Sequence, residues 1–192
     1  SELKVNVNEI ESSNKKYQIE KFQMPTPYKS DEKLYGYIIT SKKFQKKSKP
    51  IIEFPSAGAI FSDELNIDEN TIKEKKYLLD EGYSIIIPVY HNTWDRKKTI
   101  KDWWPNETEE YKNTIIKIGK DFKRVIDFLE TRENLDIERL SYMGYSWGSV
   151  TSNILLAIEN RITSAAIFVG GLMLQKSRKE IEPHLYLRRI RI

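Results

Sequence analysis

A serine hydroxyl is a weak nucleophile until backbone geometry and neighbours make it a strong one. One serine in this chain stands where that is done. Gly144-Tyr145-Ser146-Trp147-Gly148 is a G-x-S-x-G, preceded by the apolar-rich run 140–143 and followed by the helix-compatible run 150–158. The five letters recur by chance, but between a strand and a helix they describe a nucleophile elbow, a tight turn that projects the serine from the sheet. Glycines flank the serine because larger side chains would collide where strand and helix pack closely. The plainer alternative is a strand-to-helix loop that happens to carry a serine.

Such a serine also needs donors for the oxyanion and a base for its proton. The N–H of the residue after the nucleophile, Trp147, supplies one donor. Imidazole is scarce: His91 and His184 are the only histidines, and there is no cysteine. Disulfides and thiolate metal sites are therefore excluded, and two histidines make no ligand cluster, so no metal or other cofactor is expected.

The remaining composition narrows the class. With 192 residues, 39% hydrophobic and 31% charged, the chain reads as one globular domain over 1–192. Its 32 basic and 28 acidic residues leave a net charge of +4, which makes no case for nucleic acid or an anionic membrane. No apolar run approaches the about 18 residues that span a bilayer. The opening Ser1-Glu2-Leu3-Lys4 has neither a signal peptide's apolar region nor an initiator methionine.

The elements that must position Ser146 follow from periodicity. Residues 1–15 are polar and aperiodic. Alternation predicts strands over 17–22 and 34–39, with a turn marked by Pro25, Pro27, Lys29, Ser30 and Asp31. After a basic connector over 42–49, the run 50–54 is a short buried strand stopped by Pro55. Small residues follow over 56–61. Residues 69–81 have helical spacing and end at Gly82, and 83–89 is the next buried strand around Ile85, Ile86 and Ile87. Strand, helix, strand at this spacing implies a parallel sheet. Residues 91–105 form a loop carrying Trp94, Trp103 and Trp104. The longest helix covers 107 to about 133, with Ile115, Ile118, Phe122, Val125, Ile126 and Leu129 on one face. The elbow follows, then an apolar run over 163–169, a polar stretch over 175–184, and Ile190-Arg191-Ile192, which reads as the start of a further strand.

Four segments (28–40, 51–61, 83–96 and 135–149) together resemble the α/β-hydrolases of the dienelactone hydrolase/prolyl oligopeptidase type. Within that group they resemble bacterial hydrolase-like domains often found downstream of serine/threonine protein kinase domains. The resemblance implies a three-layer α/β fold: a mostly parallel sheet with antiparallel N-terminal strands and helices on both faces. It implies an acyl-enzyme route for hydrolysis of a small ester or peptide, with Ser146 as nucleophile. The second oxyanion donor would be the N–H of Ala57, with Gly58 as the fallback; a tight turn that simply needs small residues is the alternative. Tyr145, His91 and Trp94 would line a substrate pocket, or the aromatics would merely pack the loop down.

In the resembled fold the order is serine, then acid, then histidine. His91 comes before Ser146. Glu182-Pro183-His184 has the order but its members are nearly adjacent, whereas triad partners come from separate strand ends. The expectation is that the acid and histidine lie beyond this chain, that the C-terminal strands are missing, and that the uncovered sheet edge promotes association. The rival is a non-catalytic hydrolase-like module that binds a partner.

Overall fold

A computed structural model describes residues 3–12, 14–44, 47–96 and 108–170. Seven strands form one sheet in the order β1-β2-β3-β5-β4-β6-β7. They are β1 (Asn6–Ile10), β2 (Tyr17–Pro25), β3 (Lys33–Ser41), β4 (Lys49–Phe54), β5 (Tyr83–Val89), β6 (Ser141–Tyr145) and β7 (Ser164–Phe168). β1, β2 and β3 pair antiparallel with one another and β3 pairs antiparallel with β5, while β5, β4, β6 and β7 run parallel. The sheet is therefore mixed, with the parallel part at its core and the antiparallel strands as an N-terminal wing.

β1 was not legible: its polar residues alternate poorly. It forms because an edge strand can leave its side chains in water while its backbone pairs, here in register Asn6 opposite Gln23. The isoleucine runs separate the two layers that cover the sheet. Ile52 and Ile86 face the helices α3 (Glu109–Glu130) and α4 (Trp147–Ile158), in a core with Phe54, Phe122 and Leu155. Ile51, Ile85 and Ile87 face the opposite way, onto Ile72 and Leu79 of α2 (Glu69–Leu79). The period-2 alternation of a strand buried on both sides accounts for this division.

Helix ends follow local chemistry. The Asp68 side chain accepts from the Thr71 N–H to start α2, and the Thr108 hydroxyl accepts from the Tyr111 N–H to start α3. α2 stops earlier than its periodicity suggests, because Gly82 (φ 80°) turns the chain toward β5. The small residues after β4 include a single helical turn, α1 (Gly58–Phe61). Among the described residues no helix is long and apolar enough to cross a membrane.

Among the described residues β7 is an edge strand, and all five of its residues are exposed. It carries no charge, and Ile167 and Phe168 stand about half in solvent. Natural sheets usually blunt such an edge with lysine or proline. Where this edge stands open in the full chain, sedimentation velocity should show concentration-dependent self-association of the 192 residues, suppressed by Ile167→Lys. A wild-type chain that stays monomeric at all concentrations would show that this edge is covered.

Candidate active site

Ser146 lies between the last residue of β6 and the first of α4 with φ 53° and ψ −104°. That backbone region is unfavourable for a residue bearing a Cβ, so its neighbours must hold it. They do so from both sides. The Ser146 N–H donates to the Phe168 carbonyl at 2.9 Å, and the Ser146 carbonyl accepts from the N–H groups of Ser149 and Val150. Ser149, fully buried, donates its hydroxyl to the carbonyls of Gly144 and Phe168. The Tyr142 hydroxyl closes the turn from below by donating to the Gly148 carbonyl at 2.6 Å.

The glycines are required by contact. A Cβ on Gly144 would lie 2.8 Å from the Gly148 carbonyl, and one on Gly148 would lie 2.6 Å from the Phe54 carbonyl oxygen. The second contact matters for chemistry, because it presses the start of α4 against the residue where β4 gives way to Pro55-Ser56-Ala57. The N–H groups of Trp147, Ala57 and Gly58 have no backbone acceptor among the described residues. Trp147 and Gly58 are first residues of helices, whose amides have no partner within the helix. The Ser146 hydroxyl does not cap α4 and is half-buried.

Beside the turn lies a cleft of about 480 Å³, lined by Phe54, Pro55 and Ser56, by Tyr145 and Phe168, and by Lys75 and Tyr77 of α2. Its wall carries a Lys75–Glu53 ion pair at 2.8 Å. Tyr145, 53% exposed, is one of the residues that line this cleft. His91 and Trp94 are not part of the lining.

The sequence profile of the dienelactone hydrolase family matches residues 36–186. The chain belongs to the dienelactone hydrolase family. Comparison with curated proteins gives no match. Among solved structures, the chain is similar to an acetyl xylan esterase from Paenibacillus sp. R4 (TM-score 0.63, 16% identity, 86% of this chain and 53% of that one). It is also similar to acetyl xylan esterase 1 from Thermoanaerobacterium sp. JW/SL YS485 (0.63, 13%, 99% and 68%). A post-proline cleaving enzyme from Rickettsia typhi matches with TM-score 0.60 at 12% identity, over 80% of this chain and 21% of that one. At these identities the likeness is one of fold. The chain spans about half the length of the Paenibacillus structure.

What sequence reasoning missed in this family member is a buried ionic cluster behind the loop that follows β5. Arg96 Nη1 donates to Asp121 Oδ2 at 2.8 Å and to the Val89 carbonyl at 2.6 Å. Its Nη2 donates to the Tyr28 hydroxyl and to Glu32 Oε1. Asp95 accepts from the Tyr35 hydroxyl. His91 belongs to this cluster: its backbone N–H donates to Asp121 Oδ2, and its Nδ1 lies 3.5 Å from Glu32 Oε1. Only an apolar helix face interrupted by one aspartate, Asp121, could have signalled it. Trp94, 8% exposed, packs in a small cluster with Ala59 and Val89. Trp103, Trp104, Glu182 and His184 lie outside the described residues.

Burial, then the charge of Lys117, depresses the His91 imidazole to about 4, although Glu32 pulls the other way. Burial pushes the Asp121 carboxyl up to about 6 against the pull of Arg96. The signs are opposite. The folded state resists protonating His91, so His91 lowers stability as pH falls from its ordinary 6.5 to about 4. Asp121 acts in the reverse sense over a similar window. A comparison with His91→Gln isolates the histidine: in urea titrations the wild type should lose up to about 3 kcal/mol relative to the variant between pH 7 and 4. A constant difference across that window would mean that His91 takes up its proton in the folded state.

Proposed function

We propose that the chain carries the nucleophile and oxyanion hole of a serine-dependent esterase that works through an acyl-enzyme. The observation that supports it best is Ser146 at φ 53° between β6 and α4, its hydroxyl not used as a cap. Membership of a hydrolase family, and the esterase names among similar folds, favour an ester over an amide. The substrate is a small ester whose non-reacting part rests in the cleft beside Tyr145 and Phe168.

In this reading Ser146 Oγ attacks the ester carbonyl carbon as a base takes its proton. The carbonyl π pair moves to oxygen, and that oxyanion accepts from the N–H groups of Trp147 and Ala57, with Gly58 as the alternative second donor. Collapse of the tetrahedral intermediate breaks the carbon–oxygen bond. The leaving alcohol carries off the proton held by the base, and water then hydrolyses the acyl-serine by the same steps in reverse order. His91 is a poor candidate for the base, because an imidazole held near 4 is too weakly basic to draw a proton from serine at neutral pH. The base and its acid partner therefore lie outside residues 3–170 in this proposal.

The rival reading is a hydrolase-like binding module without catalysis, favoured by that commitment of His91 to the Glu32–Asp121 cluster. An acylation trap separates the two. With p-nitrophenyl acetate at about pH 9, hydroxide can serve in place of the base. Mass spectrometry should then find an acetyl group on the Ser146 peptide and none in Ser146→Ala. Acetylation confined to lysines would favour the binding module.

A further inference from the structure

Loops usually run over the surface, where water satisfies their backbone. The loop after β5 does the opposite: of residues 90–96, only Asp95 is exposed. It also holds two non-glycine residues at left-handed backbone angles, Asn92 at φ 66° and Trp94 at φ 44°. Such conformations persist only where the surroundings over-determine them. Arg96 ties this loop to three other parts of the fold. Its guanidinium reaches Asp121 of α3, the Val89 carbonyl at the end of β5, and Tyr28 and Glu32 in the β2–β3 turn. Its backbone N–H donates to the Thr93 carbonyl and its carbonyl accepts from the Asn92 N–H.

The residues so fixed touch both segments that bear the proposed oxyanion donors. Trp94 packs on Ala59, two residues after Ala57 and part of the same helical turn. Tyr90 stacks on Phe54 with ring centroids 4.6 Å apart, and Phe54 meets Trp147 edge-on at 5.1 Å. We propose that Arg96, paired with Asp121, is a positioning residue for the oxyanion hole: it locks the 90–96 loop so that Trp94 sets the Ala57 turn and Tyr90 sets Phe54 against Trp147. This rests on Ala57 and Trp147 being the donors, but its physical content, mechanical coupling of 96 to 57, does not depend on catalysis.

The test is backbone amide hydrogen exchange and amide chemical shift on the uniformly ¹⁵N-labelled 192-residue chain. Arg96→Lys keeps the charge but loses the fork that reaches four partners. It should speed exchange at least about tenfold at both 90–96 and 56–61, and move the Ala57 and Trp147 amide resonances. Trp94→Leu leaves the clamp in place and removes the contact to Ala59. It should open 56–61 while the His91 amide stays protected, and it serves alone if Arg96→Lys does not fold. Arg161→Lys, in the separate ion cluster with Glu159, Asp127 and Glu130, is the control and should leave 56–61 unchanged. Unchanged exchange at 56–61 in Trp94→Leu, or an equal change in Arg161→Lys, would overturn the proposal. Failure of Ser146 to acylate would overturn the esterase reading and leave this coupling standing.

Discussion

Asp121→Ala should lose about 3–5 kcal/mol of stability, the usual result when one member of a buried ion pair is removed. The side chain is fully buried, and Oδ2 accepts from Arg96 Nη1 at 2.8 Å, from the His91 N–H at 2.9 Å and from the Tyr28 hydroxyl at 3.4 Å. Alanine would strand the Arg96 guanidinium, 6% exposed, with Glu32 as its remaining carboxylate. A domain has about 5–15 kcal/mol in all, so the loss would be a large share of the total. Asp127→Ala supplies the contrast on the same helix. Its carboxylate is half-exposed beside Arg161, where a solvated pair contributes about 0–1 kcal/mol. Urea unfolding followed by circular dichroism measures both, and similar small losses would mean that water reaches Asp121.

The second large effect is on turnover. Ester hydrolysis by the 192-residue chain should not exceed the acceleration of about 10³–10⁴-fold over water that an oxyanion hole and binding provide without a triad. Two observations motivate this expectation. His91 is engaged with Glu32 and Asp121 and is held at about 4. Glu182, Pro183 and His184 are nearly adjacent in sequence, whereas triad partners come from separate strand ends. Ser146→Ala should reduce the residual rate to background, while His91→Ala should alter stability more than rate. Robust turnover that vanishes in His184→Ala would place the base at His184 and refute this expectation. Vanishing in His91→Ala would mean a triad in an unusual chain order.

Much of the architecture was legible because it is written in periodicity. The isoleucines of β4 and β5 announce strands buried on both faces, and the stripe from Ile115 to Leu129 announces the helix that covers them. The elbow was legible for a different reason: its glycines are dictated by contacts with Phe54 and Gly148 that leave no room for a Cβ. β1 was hidden because an exposed edge strand needs only its backbone. Arg96 was hidden because its partners come from α3 and the β2–β3 turn, far from it in sequence and joined to it only by the fold. Nothing local distinguishes a buried arginine from a solvated one. Trp94 was ambiguous for the same reason, since an aromatic at a loop can line a cleft or fill a gap, and only the position of Ala59 decides.

The strand order carries a consequence for how the molecule assembles. β1, β2 and β3 pair with their sequence neighbours, so this wing closes through short turns at little entropic cost. β4 instead takes its places beside β5 and β6, with Ile51 opposite both Ile85 and Ser141. β6 reaches its place beside β4 only across the long α3, and β7, paired with β6, brings the Phe168 carbonyl to the Ser146 N–H. The unfavourable φ of Ser146 is thus held by contacts that only the assembled sheet supplies, not by the local sequence. Were those contacts to form after the folding transition state, loosening the turn would raise the unfolding rate and leave the folding rate nearly unchanged.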